Sequence, residues 1–184
     1  MFGGTFDPIH KGHIRAAEEI IAQQLASKVI FLPAGSPWQK GGKLIASPID
    51  RAALVAKAIA TNPKFQLSTR EIERSGATYT IDTVREYQQE FPTEDFLLLL
   101  GSDAFSGINT WHEHEELLQS IDIVVAIRPG EKVITVPDAH VSIIESEMFD
   151  ISSTQIRHAA KSGADLAQFV PEVIVDEVQR IYGS

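Results

Sequence analysis

The sequence predicts an α/β protein built on a doubly wound, parallel sheet flanked by helices. Three observations carry that expectation. Short apolar runs without alternation, Val29–Leu32, Phe96–Leu100 and Ile123–Ile127, read as strands buried on both faces. Between them lie stretches with apolar residues at helical spacing, such as Ile14, Ala17, Ile21 and Leu25. The two patterns alternate along the chain, as parallel sheets with crossover helices require.

The elements follow in order. Only Met1 and Phe2 precede Gly3, against a usual strand of about 5–6 residues. The expectation is either a start upstream of Met1 or a tolerated short strand, at the centre of the sheet in both cases. A helix is expected from near His13. The loop Gly35–Ser47, rich in Gly, Ser and Lys, is long enough for a functional flap. Ser47 followed by Pro48 reads as an N-cap with proline at the first helical position, opening a helix through Ala60. Phe65–Leu67 and Val141–Ile144 are weaker strands. Further helices are expected over Thr80–Glu90 and Pro171–Tyr182, the latter with Ile174, Val178 and Ile181 on one face. No repeat, low-complexity tract or linker divides the chain, so residues 1–184 are expected to form one domain.

Composition narrows the function classes. A chain of 184 residues can bury a full core. Its net charge of −9 and lack of a basic stripe argue against a general nucleic-acid binder. A polyphosphate partner would need a short, focused cluster of cations and N–H groups. No apolar run approaches the ~20 residues of a membrane span. Met1–Thr5 lacks the charged-then-apolar pattern of a signal peptide, and a cytoplasmic protein is expected. The absence of cysteine excludes disulfides and thiolate metal sites. A homo-oligomer is compatible with the sequence, which does not specify oligomeric state.

In open parallel sheets, ligands bind at the carboxyl ends of the strands. The turn Gly3–His13, the loop Pro33–Lys40, the turn Gly101–Asp103 and Arg128 are expected there, converging on one crevice. The first is Gly3-Gly4-Thr5-Phe6-Asp7-Pro8-Ile9-His10-Lys11-Gly12-His13. Glycines before a helix allow close backbone approach to a phosphate, and the helix N-terminus favours negative charge. His13 would open the helix, with His10 one turn earlier, so both rings can face one anion. A bland turn with exposed histidines, or a Zn site, are the competing readings; the latter lacks the further ligands of a closed site. The second is Ile151-Ser152-Ser153-Thr154-Gln155-Ile156-Arg157. Its hydroxyls are N-cap residues, but Arg157, three residues after Thr154, lies on the same helix face. Hydroxyls, terminal N–H groups and one arginine make a polyphosphate cradle.

Gly101-Ser102-Asp103 follows a strand and could be a plain turn with a helix cap. Thr78-Tyr79-Thr80 enters a helix. Trp111 could be a core residue, but its place after Gly107 and Asn109, outside any apolar run, favours exposure.

The first segment resembles the Gly-Thr-Phe-Asp-Pro-x-His-x-Gly-His signature of the His-x-Gly-His nucleotidyltransferase superfamily. The second is similar to the Ile-Ser-Ser-Thr-x-Ile-Arg motif of its nicotinamide and nicotinate mononucleotide adenylyltransferases. The likeness covers nearly the whole chain. It implies a Rossmann-like fold and transfer of AMP from ATP to the 5′-phosphate of nicotinate mononucleotide. His10, His13 and Arg157 are implied as catalytic. Gly3, Gly4, Thr5, Phe6, Lys40, Gly101, Asp103, Ile151, Ser152, Ser153 and Thr154 are implied for ATP. Thr78, Tyr79, Thr80, Ile81, Trp111, His112 and Arg128 are implied for the mononucleotide, with Trp111 stacking on the pyridine ring. Mg²⁺ would arrive with ATP rather than in a protein cage. A nicotinamide mononucleotide or phosphopantetheine adenylyltransferase and a silent nucleotide-binding regulator are the alternatives. Two departures stand out: Pro37-Trp38-Gln39-Lys40 replaces the usual Pro-Pro-His-Lys, leaving Trp38 either a stacking group or loop packing, and the first strand is short.

Overall fold

The computed structural model describes residues 1–35, 45–128, 130–131, 136, 139–145 and 151–184. Among the described residues, six strands form one sheet: β1 (Phe2–Gly4), β2 (Val29–Pro33), β3 (Phe65–Leu67), β4 (Leu97–Gly101), β5 (Asp122–Ile127) and β6 (Val141–Glu145). Their order is β3-β2-β1-β4-β5-β6, and every neighbouring pair is parallel. This is the doubly wound arrangement, whose order reverses between β1 and β4. The short β1 lies at that reversal, with Phe2 opposite Phe31 of β2 on one side and Leu99 of β4 on the other.

The helices are α1 (Lys11–Ala22), α2 (Pro48–Ile59), α3 (Arg70–Glu73), α4 (Thr80–Glu90), α5 (Ser102–Ser106), α6 (His114–Ser120), α7 (Ser153–Ser162) and α8 (Val175–Tyr182). Short 3₁₀ turns precede α6 and α8. Residues that alternate along each strand feed two apolar layers. Phe2, Phe31, Phe65, Leu99 and Val124 pack with α1, α2, α7 and α8; Leu32, Leu98, Leu100, Ile123 and Val125 pack with α4, α5 and α6. Both faces of the sheet are therefore covered, which is why the strand sequences show no polar alternation.

Two helix boundaries move from the sequence expectation. The first helix opens at Lys11, not near His13, because extended His10 takes the N-cap. Leu25, expected on its buried face, lies beyond the helix and is largely exposed. The last element splits into a 3₁₀ turn over Glu172–Ile174 and then α8. The helix over Thr80–Glu90 and the cap at Ser47, which accepts from the Asp50 N–H at 3.1 Å, are as expected. Among the described residues no helix is long and apolar enough to cross a membrane.

Candidate active site

The turn after β1 is held by its own aromatic residues. Phe6 adopts φ +49°, a left-handed backbone rare for a bulky residue. Its ring is buried between Phe2 and Phe31 and meets His13 edge-on, with centroids 4.9 Å apart. Gly4 makes room for that ring: a Cβ there would stand 2.9 Å from it. The Asp7–Pro8 peptide bond is cis.

His10 and His13 stack with centroids 3.6 Å apart. The His10 backbone N–H donates to His13 Nδ1 at 3.2 Å. A neutral His13 must therefore carry its proton on Nε2, which makes that atom a donor. Burial lowers the His10 pKa to about 3. Burial, and then the neighbouring His10, hold His13 well below its ordinary value. Both rings are thus neutral near pH 7.

The serine-rich segment meets this turn across the length of the chain. Arg157 Nη1 donates to the Asp7 carbonyl at 2.8 Å, and Nη2 to Thr154 Oγ1 at 3.0 Å. Ser153 Oγ donates to the Pro8 carbonyl at 2.9 Å. Ser152 caps α7 by accepting from the Gln155 N–H. These bonds refine the expected cradle. Ser153 spends its hydroxyl hydrogen on the turn, whereas Thr154 accepts from Arg157 and keeps its own hydrogen to donate. Ile151 packs at the edge of the first apolar layer.

A cavity of about 330 Å³ opens beside the turn, lined by Gly3, Gly4, Thr5, Ala34, Thr78, Tyr79, Thr80, Asp103, Trp111 and His112 among others. Among the described residues, Thr78 Oγ1 and Trp111 Nε1, both on cavity-lining residues, are buried without a protein partner, as is His10 Nδ1 in the turn after β1. Such atoms are rare unless a ligand or water meets them. Trp111 is half-buried against the second apolar layer, so packing and cavity lining are both served, and its expected exposure holds only in part. His112 is exposed and stacks on Tyr79, with centroids 4.2 Å apart. A larger cavity, of about 950 Å³, lies at the amino ends of the strands, where Met1, Lys28, Leu97 and Asp122 line it. None of the expected site residues reaches it, and parallel sheets place ligands at the other end.

The phosphate-type residues Phe6, His10, His13, Ile151, Ser152, Ser153, Thr154 and Arg157 are not among those lining the smaller cavity, and neither are Ile81, Gly101 and Arg128. Ile81 buries its side chain in the core, leaving only its backbone N–H, in the first turn of α4, to face a ligand. Gly101 ends β4 and caps α5, on the exposed side of the strand end. Arg128 lies past β5, where its N–H donates to Glu131; sheet position alone cannot decide which strand ends meet one ligand. Lys40 and Trp38 lie outside the described residues.

Two buried groups escape the sequence reading. Arg51 is fully buried and spends its guanidinium on the carbonyls of Thr5, Ala34 and Gly35. Its place on the same helix face as Leu54 and Val55 was the available signal, a charge on an apolar stripe. Glu71, also buried, accepts from Thr83 Oγ1 at 2.9 Å, and burial raises its pKa.

An open parallel sheet whose carboxyl ends gather neutral imidazoles, an arginine and helix N-termini defines an α/β nucleotide-handling protein. The model of the cytidylyltransferase-like family matches residues 1–159, and the chain belongs to that family. A relative from Frankia alni, "Probable nicotinate-nucleotide adenylyltransferase", is 39% identical over 176 residues, covering 94% of this chain and 93% of its own length. A Streptomyces coelicolor relative of the same name is 37% identical over 180 residues, covering 97% and 96%. Among solved structures, Plasmodium falciparum nicotinic acid mononucleotide adenylyltransferase complexed with NaAD is similar with a TM-score of 0.83 at 20% identity, covering 97% of this chain and 93% of that one. At that identity the likeness speaks for the fold.

Proposed function

We propose that this protein transfers the adenylyl group of ATP to the 5′-phosphate of nicotinate mononucleotide, giving deamido-NAD and pyrophosphate. One observation carries the reading: the bond from Arg157 to the Asp7 carbonyl joins the two phosphate-type segments, and the first of these, through Gly3, Gly4 and Thr5, lines a cavity large enough for a mononucleotide. The names borne by relatives matched over nearly their full length support the same reaction.

The acceptor phosphate is a dianion near pH 7, since its second pKa is about 6, so it needs no general base. Its oxygen attacks the α-phosphorus as the bond to the β-phosphate oxygen breaks, and pyrophosphate leaves with that electron pair. The protein's task is to align two anions and stabilise charge on the α-phosphate and the leaving group. His13 donates through Nε2–H to the α-phosphate. Arg157, Thr154 and the first-turn N–H groups of α7 hold the leaving phosphates, with His10 beside them. Gly3, Gly4 and Thr5 let the backbone approach, and Asp103 accepts from a ribose hydroxyl. Mg²⁺ carried in with ATP would neutralise part of the triphosphate charge. The phosphate-facing groups are imidazoles, an arginine and hydroxyls rather than clustered carboxylates, which suits an ion carried by the nucleotide and its waters.

Trp111 stacks on the pyridine ring in either the acid or the amide acceptor, so it cannot discriminate between them. The first turn of α4, capped by no side chain, presents N–H donors at Thr80 and Ile81, and His112 adds another. A carboxylate satisfies such donors, whereas an amide sets N–H against N–H at a cost of ~1–3 kcal/mol. Roughly ten- to hundredfold preference for nicotinate over nicotinamide mononucleotide is expected in kcat/KM. Pyrophosphate release from ATP should be measured with each, and with phosphopantetheine. Release with none of them overturns the transfer reading; equal rates with acid and amide overturn only the carboxylate assignment.

A further inference from the structure

Asp7 sits at the centre of a buried network that the transfer reaction does not itself use. Its carboxylate accepts from the Ile45 N–H at 3.2 Å, the Ala46 N–H at 3.1 Å and the Tyr182 hydroxyl at 2.8 Å. Its carbonyl accepts from Arg157. Tyr182, in α8, is fully buried, and burial together with the Asp7 carboxylate raises its phenol pKa, so it stays a donor. Arg51 completes the group from α2. Its Nη1 lies 2.6 Å from the Thr5 carbonyl, and its Nη2 lies 2.6 Å from that of Ala34 and 3.2 Å from that of Gly35. Thr5 and Ala34 are themselves on the cavity wall.

A buried ion group of this kind is seldom the most stable filling for a core, because apolar side chains of similar size often do as well or better. What apolar side chains cannot do is hold particular carbonyls and amides in place. Each carbonyl taken by Arg51 or Arg157 is also withdrawn as a negative end facing an anionic ligand. The backbone between these anchors includes left-handed Phe6, a conformation that persists only where its surroundings over-determine it.

We propose that Tyr182, Asp7 and Arg51 are positioning residues for the transfer site, with the α8 hydroxyl fixing Asp7 and Asp7 in turn fixing Arg157 and the turn Thr5–His10. The proposal rests on the adenylyl-transfer reading for its kinetic consequence. None of the three is catalytic; each acts through Arg157 and the turn.

Tyr182→Phe keeps the ring and removes only the hydroxyl. The expected result is a tenfold or greater fall in kcat, with KM for ATP and nicotinate mononucleotide within about twofold of wild type, as for contacts that matter in the transition state. Amide hydrogen exchange should quicken at residues 5–10 and 45–46 and at the start of α7, and stay unchanged in β4 and β5. Adding Tyr182→Phe to Asp7→Asn should cost little further, because the hydroxyl acts through that carboxylate. Unchanged kcat with unchanged exchange overturns the proposal. Additive losses in the double variant do so too, as does exchange that quickens uniformly while folded molecules keep wild-type kcat. If the wild-type protein transfers nothing between ATP and the mononucleotide, the functional reading falls. The exchange pattern, read in the single and double variants, then still decides whether Tyr182 anchors the turn through Asp7.

Discussion

Arg157 offers two N–H groups to two acceptors at once, the Asp7 carbonyl and Thr154 Oγ1. Lysine keeps the charge but not the planar fork. Arg157→Lys should lower kcat/KM ten- to hundredfold, in line with ~1.5–3 kcal/mol for a hydrogen bond to a charged group; steady-state kinetics with ATP varied will check it. His13 has a double load. Its ring packs on Phe6 and stacks on His10, so His13→Ala should lose some stability. The larger loss is expected in kcat, by ~3–4 kcal/mol, because a positioned donor to transition-state charge disappears. Turnover within a few-fold of wild type, measured on folded protein, would refute its phosphate role.

At the scale of the element, α7 matters for where its first turn points. Ser152 accepts from the Gln155 N–H and so ends the helix on the side of Asp7 and Pro8. Ser152→Ala should cost ~1 kcal/mol of stability, as should Ser47→Ala at the start of α2. For a chain of this size that is a fall in Tm of about 2–4 °C. Only the α7 variant loosens Ser153, Thr154 and Arg157 together, so its KM for ATP should also rise several-fold. The approach of the β2 loop to α3 makes a second test. A Cβ on Gly35 would stand 2.1 Å from the Glu71 carbonyl oxygen, and backbone must shift to admit it. Gly35→Ala should destabilise by ~1–3 kcal/mol and, since Gly35 carries a carbonyl held by Arg51, also slow turnover. Thermal melts and kinetics on the same preparation separate the two effects.

For the whole molecule, buried histidines set the response to acid. The folded His10 pKa of about 3 lies below the ordinary 6.5, so the unfolded chain binds the proton first as pH falls. The stability from keeping this ring neutral is complete above pH 6.5 and is lost progressively from there toward pH 3. By pH 5 the loss from His10 alone is about 2 kcal/mol. His13 acts in the same direction, as does the buried Met1 amine, whose pKa is lowered from 8.0 to about 5. Glu71 acts oppositely: its raised pKa makes its contribution full below 4.5 and weaker as pH rises. With three bases against one acid, urea unfolding should show a clear loss of stability between pH 7.5 and pH 5. An unchanged or higher stability at pH 5 would mean that the histidines are hydrated in the folded protein.

Local chemistry by itself determined most of the architecture and the phosphate-type segments. Unalternating runs such as Phe96–Leu100 are legible because burial on both faces leaves no polar position. The cap at Ser47 and the span Thr80–Glu90 are legible because capping and helical period act within a few residues. The glycine-histidine turn and the Ser-Ser-Thr-x-x-Arg run are legible because a phosphate site needs several donors close together in sequence. Tertiary structure decided what depends on groups distant in the chain. Nothing near Arg51 in sequence says that its guanidinium serves the carbonyls of Thr5 and Ala34, and nothing near Tyr182 says that its hydroxyl reaches Asp7. The burial of the Ile81 side chain was decided in the same way, by how α4 packs on the sheet. A sequence motif specifies which donors a site holds; the packing of helices against the sheet specifies where each one points.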